Sequence, residues 1–171
     1  LIANGSAPAR RAALRMVGDL PLGKRQLLGT IEQLLHDDDE AYTRNAAHHL
    51  VRSGAAAAEL LTKHLGKDWR ERQRVLALLC HMDEHATPAA QGLLTCLQYD
   101  VTSQRRALVA LSNFPVPGAL QRRAATEILA LLEKTRSRIV RVLATDALAQ
   151  CGQGVTTEQR TRMQAMLQER R

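Results

Sequence analysis

The chain has 171 residues, a hydrophobic fraction of 45% and a formal net charge of +7, within the range of a single domain able to bury a core. Aromatics make up only 2% and the chain leans on Ala and Leu, which argues against a β-sandwich or barrel and for helices. No apolar run reaches the roughly 18 residues that a membrane span needs.

The helices follow one template, best described by taking one residue of each as position zero. Leu1-Ile2 occupies the place of the end of a helix whose beginning is missing, so the chain is expected to start inside a longer array. Ser6 then stands four residues before Arg10, with Ala13 and Val17 at +3 and +7. A second helix carries Leu27, Ile31, Leu34 and Leu35. Asp39 opens the next one, with Thr43 at zero, Ala46 at +3 and Leu50 at +7. Leu60, Leu61 and Leu65 mark its partner.

The pattern continues with Asp68, zero at Arg72, then Val75 and Leu79, and with a following helix carrying Leu93, Leu94 and Leu97. Thr87-Pro88 is expected to start that helix, as a cap with Pro in the first helical position. Asp100, zero at Gln104, Ala107 and Leu111 come next, then Ile128, Leu129 and Leu132. Ser137, zero at Arg141, Ala144 and Leu148 form the last repeat of the template. Thr156 with Gln159 starts a final helix bearing Met163, Met166 and Leu167. Gly23, Gly54, Pro115, Pro117, Gly118 and Gly152 are expected to break the chain between helices.

Spacings between the zero positions are 33, 29, 32 and 37 residues, one two-helix unit each, as in helical solenoids. Positions +3 and +7 share a helix face, so the column is expected to be buried. The residues at −4 can all accept hydrogen bonds from free first-turn amides. Glu71 follows Asp68 by three, much as in a capping box.

These residues resemble the HEAT-repeat family, in the short bacterial form also found in phycobilin lyases. The likeness covers nearly the whole chain and is best kept in Val140-Arg-Val-Leu-Ala-Thr-Asp-Ala-Leu148. Thr43 and Gln104 replace the family's Arg, and its upstream Asp survives only as Asp37, which interrupts any Asp–Arg ladder. The resemblance implies an all-α fold: one domain over 1–171, an α-α superhelix of about five two-helix repeats. It further implies protein binding, with the capped helices lining a concave side.

Charge is uneven. Residues 1–101 hold 12 Lys+Arg and 12 Asp+Glu, whereas 102–171 hold 12 basic and 5 acidic residues, which is the whole +7. Columns zero and +1 are expected to point away from the buried stripe, and they place Arg10 and Arg11, Arg44, Arg72, Arg105 and Arg141 there. Two readings stand for Arg11, Arg44, Arg72, Arg105 and Arg141. They form a row of guanidinium forks for the carboxylates or phosphates of a partner, or they bond to neighbouring repeats and helix ends, which is the commoner use.

Arg122, Arg123, Lys134, Arg136 and Arg138 add charge that nucleic-acid binding would need. Single-strand binding also calls for stacking aromatics, and residues 115–171 contain none. No residue here can be matched to the catalytic acid or aromatic cleft of the HEAT-like DNA glycosylases.

His81 and His85 are four apart, a spacing that holds zinc on a helix, but the segment is expected to be a loop. His48-His49 are adjacent, so they face different directions. Asp37-Asp38-Asp39-Glu40 is expected to be a cap and a solvated turn. Cys80, Cys96 and Cys151 are widely separated and lack CxxC spacing, which fits reduced, packed thiols in a reducing compartment.

Cys80 and His81 are neighbours and do not face each other on a helix, and no Gly-rich phosphate loop is present. The expectation is therefore a cytoplasmic, non-enzymatic scaffold without cofactor or metal, binding a protein partner of acidic character. The alternative is a nucleic-acid-binding module using the basic C-terminal half.

Overall fold

A computed structural model of the chain describes residues 53–66 and 68–168, with positions 29, 31, 35, 50 and 51. Among the described residues it is all-helical, without strands. Far-UV circular dichroism should accordingly show a helical spectrum; a substantial β-component would contradict the fold. The chain divides into two compact units, Leu1–Ala89 and Ala90–Arg171.

In the first unit, α1 spans Ala55–Thr62 and α2 spans Trp69–Leu79. Gly54 precedes α1 with φ +58°, a left-handed turn that costs glycine little because it has no Cβ. Asp68 caps α2 by accepting from the Glu71 amide at 2.9 Å. The carboxyl of Glu71 turns toward the preceding turn, where its Oε1 lies 2.5 Å from Nδ1 of buried His64.

The expected loop before Thr87-Pro88 is a 3-10 helix, Asp83–Ala89, which packs on α1 and α2. Thr87 does not act as the expected α-helix cap. Its hydroxyl donates to the Glu84 carbonyl at 2.6 Å, and Pro88 lies inside the 3-10 segment. Proline's fixed φ suits either setting. Met82, Ala86 and Ala89 are buried at helical spacing, and fully buried Ala57 and Ala58 on α1 are small enough for close packing.

The second unit contains α3 (Ala90–Cys96), α4 (Val101–Ser112), α5 (Gly118–Lys134), α6 (Arg138–Ala149), a 3-10 turn at Gly152–Gly154 and α7 (Thr157–Gln168). Asp100 caps α4 through the amides of Thr102 and Ser103 at 3.0 and 3.1 Å, and also accepts from the Ser103 hydroxyl at 2.6 Å. Ser137 caps α6 through the Val140 amide at 3.4 Å. Thr156 and Gln159 form the reciprocal pair of a capping box, at 3.2 and 2.9 Å. Gly118 is the first residue of α5 rather than a breaker, and the break falls on 113–117 before it.

The expected columns are buried wherever they are described. Val75, Leu79, Ala107, Leu111 and Ala144 are fully buried and Leu148 nearly so. Ile31, Leu35 and Leu50 are buried too. Ser6, Ala13, Val17, Leu27, Leu34, Asp39 and Ala46 lie outside the described residues, as do the side chains of Met163, Met166 and Leu167.

In the second unit α4 packs most extensively on α6, and α5 packs on α6 and on the 3-10 turn. Buried Phe114 fills the corner after α4. Beside it the Val116 amide, between Pro115 and Pro117, donates to the Gln150 carbonyl at 3.0 Å. The Gln121 side-chain amide donates back to the Val116 carbonyl at 3.1 Å.

Candidate interaction surface

Helix geometry decides where the arginine columns point. At about 100° per residue, position zero lies only about 40° from the centre of the +3/+7 stripe, whereas +1 lies about 140° away. The expectation that both columns face away from the core is therefore corrected. Arg72, at zero on α2, is buried. Arg141, at zero on α6, is half-buried, and Arg105, at +1 on α4, is exposed. Arg10, Arg11 and Arg44 lie outside the described residues.

Near the start of α2, Glu71, Arg72 and Gln73 are all buried, so this helix is covered on more than one face. The Asp68 carboxylate is held below its ordinary value, first by the Glu71 amide and further by the charges of Arg70 and Arg72. Buried Arg72 thus has an internal electrostatic role at its own helix start. Arg74 also has an internal role, since its Nη1 donates to the Leu35 carbonyl. Sequence reasoning missed that bond, because nothing local to either residue announces it.

The second unit exposes a group of basic side chains. Arg122, Arg123, Lys134, Arg136 and Arg138 are all exposed. Arg123 donates to Glu127 at 2.7 Å, one turn along α5. Arg162 on α7 reaches Glu133 on α5 at 2.9 Å. Such solvent-facing pairs contribute roughly 0–1 kcal/mol.

The same unit exposes aliphatic side chains that the columns did not single out. Val101, Ile139 and Val142 keep 52%, 52% and 55% of their surface exposed. Val101 opens α4, and Ile139 and Val142 are three apart in the first turns of α6, a spacing that puts them on one face. The short connections 113–117 and 135–137 reverse the chain twice, so α4 and α6 run in the same sense. Their first turns thus lie at the same end of a packed pair, with exposed Arg105 one turn from Val101 and exposed Arg138 one turn from Val142 on their own helices. The available signal was apolar residues off the buried stripe: Val101 at −3, Ile139 at −2 and Val142 at +1.

His81 and His85 are exposed. The His85 ring sits beside Gly54, where an added Cβ would meet its Nδ1 at 3.5 Å. Among the described residues no group of three or more His, Cys, Asp or Glu side chains could hold a metal ion. His48, His49 and the acidic run 37–40 lie outside those residues.

The cysteines are free thiols, Cys80 half-buried and Cys96 and Cys151 buried. Burial pushes the Cys151 thiol up from 9.0 to about 11. A thiol that the fold keeps neutral contributes stability below its unfolded value of 9.0, and that contribution is lost as pH rises from there through about 11. Native-state alkylation should label Cys80 first. Cys151 should react only as the fold opens; fast labelling of Cys151 at neutral pH would contradict its burial.

No protein-family model, no curated protein and no solved structure matches this chain. Among the described residues no helix is long and apolar enough to cross a membrane.

Proposed function

We propose that the chain is a non-enzymatic scaffold of the cytoplasm, a HEAT-like α-α superhelix that holds a protein partner on the outward face of its capped helices. The observation that carries this reading is the set Val101, Ile139 and Val142, more than half exposed and flanked by Arg105 and Arg138. Covering a half-exposed aliphatic side chain returns about 1 kcal/mol before association costs are met. Such a surface offers area and fixed charge, which suit binding more than chemistry. The repeat reading is supported by Asp68, Asp100 and Ser137 capping in register with the buried columns.

The basic excess of residues 102–171, 12 against 5, favours nucleic acid as a second reading. Phosphate binding releases counterions and so weakens steeply with salt. Labelled single- and double-stranded oligonucleotides, titrated at low and at physiological salt, separate the two. We expect weak, sequence-blind binding that vanishes at physiological salt; tight binding that persists there would overturn the scaffold reading. In parallel, crosslinking in native extract should capture a protein with the wild type and lose it with Val142→Glu. Arg72 is left out of such variants because it is buried. Loss of the partner only on changing residues elsewhere on the chain would place the site away from this surface.

A further inference from the structure

We infer that the surface at the first turns of α4 and α6 receives an acidic amphipathic helix; the inference rests on the scaffold reading and names the chemistry of its partner. Ile139 and Val142 lie three apart on α6, and Val101 supplies a third aliphatic group from α4. An amphipathic helix presents its apolar residues at i, i+3, i+4 and i+7, a stripe that fits against such a cluster. An extended strand would need an open sheet edge, and the described residues contain no strand.

Charge selects the partner's flanks. Arg105 and Arg138 are exposed and Arg141 half-buried around the aliphatic groups, and residues 102–171 carry 12 basic against 5 acidic side chains. Guanidinium forks pair with carboxylates in two-point geometry. Carboxylates beside the partner's apolar stripe would therefore fall among Arg105, Arg138 and Arg141. Exposed Asp146 stands one turn beyond Val142 on the same face of α6. It ends the basic zone and repels carboxylates there, so the acidic residues belong over the first two turns. A nucleic-acid backbone gains nothing by covering valine and isoleucine, and the second unit has just two aromatics, Tyr99 and buried Phe114.

The test uses the full chain and a labelled helical peptide of about five turns, with Leu at i, i+3, i+4 and i+7 and Glu on its flanks. Fluorescence anisotropy compares it with a scrambled peptide of the same composition and with a Lys-for-Glu version. The wild type should bind the acidic amphipathic peptide at least about tenfold more tightly than either comparator. Val142→Glu and the pair Arg105→Glu with Arg138→Glu should each weaken it about tenfold or more. Asp146→Asn should strengthen it a few-fold, and Arg122→Glu on α5 should leave it unchanged. Val142→Ser, which removes apolar area without adding charge, should also weaken binding, and thermal melts confirm that each variant is folded.

Equal binding of the scrambled peptide, equal loss with Arg122→Glu, or preference for the Lys peptide would overturn the inference. So would preferential binding to vesicles of anionic lipid. If the acidic peptide fails while Val142→Glu still strips the crosslinked protein partner, the acidic-helix chemistry falls and the scaffold reading stands. If that variant strips no partner either, this surface is not the site, and the acidic-helix inference falls with it.

Discussion

Ala144→Asp should lower the unfolding free energy by about 3–5 kcal/mol, because it places a carboxylate at a fully buried alanine position. Ala144 is fully buried on α6, the helix that packs most extensively on α4. Against a total domain stability of about 5–15 kcal/mol, such a loss is a large share. Arg105→Ala, on the exposed +1 position of α4, should change stability by roughly 0.5 kcal/mol or less. Denaturant melts of both variants decide the matter, and equal losses would mean that the two faces had been interchanged.

Gly154→Ala is the second large effect expected. An added Cβ would sit 2.5 Å from both the carbonyl carbon and the Cβ of Gln121, and 2.7 Å from its carbonyl oxygen. Those atoms belong to α5 and cannot swing aside as a side-chain tip can. The cost should reach at least the upper part of the roughly 1–3 kcal/mol typical of overpacking. Gly118→Ala provides the contrast, since beyond its chain neighbours and its own helix backbone no atom lies within 4 Å of the added Cβ. That change should be neutral or slightly stabilising, because alanine loses less chain entropy on folding. A Gly154→Ala variant that melts like the wild type would show that the 3-10 turn does not approach α5 as closely as described.

What could be read from the sequence was mostly local. Asp68, Asp100, Ser137 and Thr156 each act within three residues of themselves, so composition and spacing suffice to find them. The buried columns follow from helix periodicity alone. The 3-10 helix at Asp83–Ala89 was hidden because its charged start and Pro88 imitate a loop, although Met82, Ala86 and Ala89 keep helical spacing.

The arginine columns were misassigned for a different reason. Position zero lies close to the buried stripe in angle, so Arg72 turns inward, while among the described column arginines Arg105 is the exposed one. The pairs His64–Glu71 and Arg74–Leu35 depend on how elements pack, which no spacing rule reports. The exposed aliphatic residues have the same origin. Val101, Ile139 and Val142 are ordinary helix residues until the packing of α4 and α6 leaves them uncovered.

The corner between α4 and α5 offers a built-in reporter of integrity. Pro115 and Pro117 have no amide proton, so the 115–117 stretch has one exchangeable backbone hydrogen, on Val116, and it is bonded to Gln150 at the end of α6. Deuterium uptake at that one site therefore measures how often the corner lifts off α6, without overlap from its two neighbours. If its protection matches that of the α6 amides, corner and helix open together as one cooperative block. If it exchanges sooner, the corner peels away first while α6 stays wound.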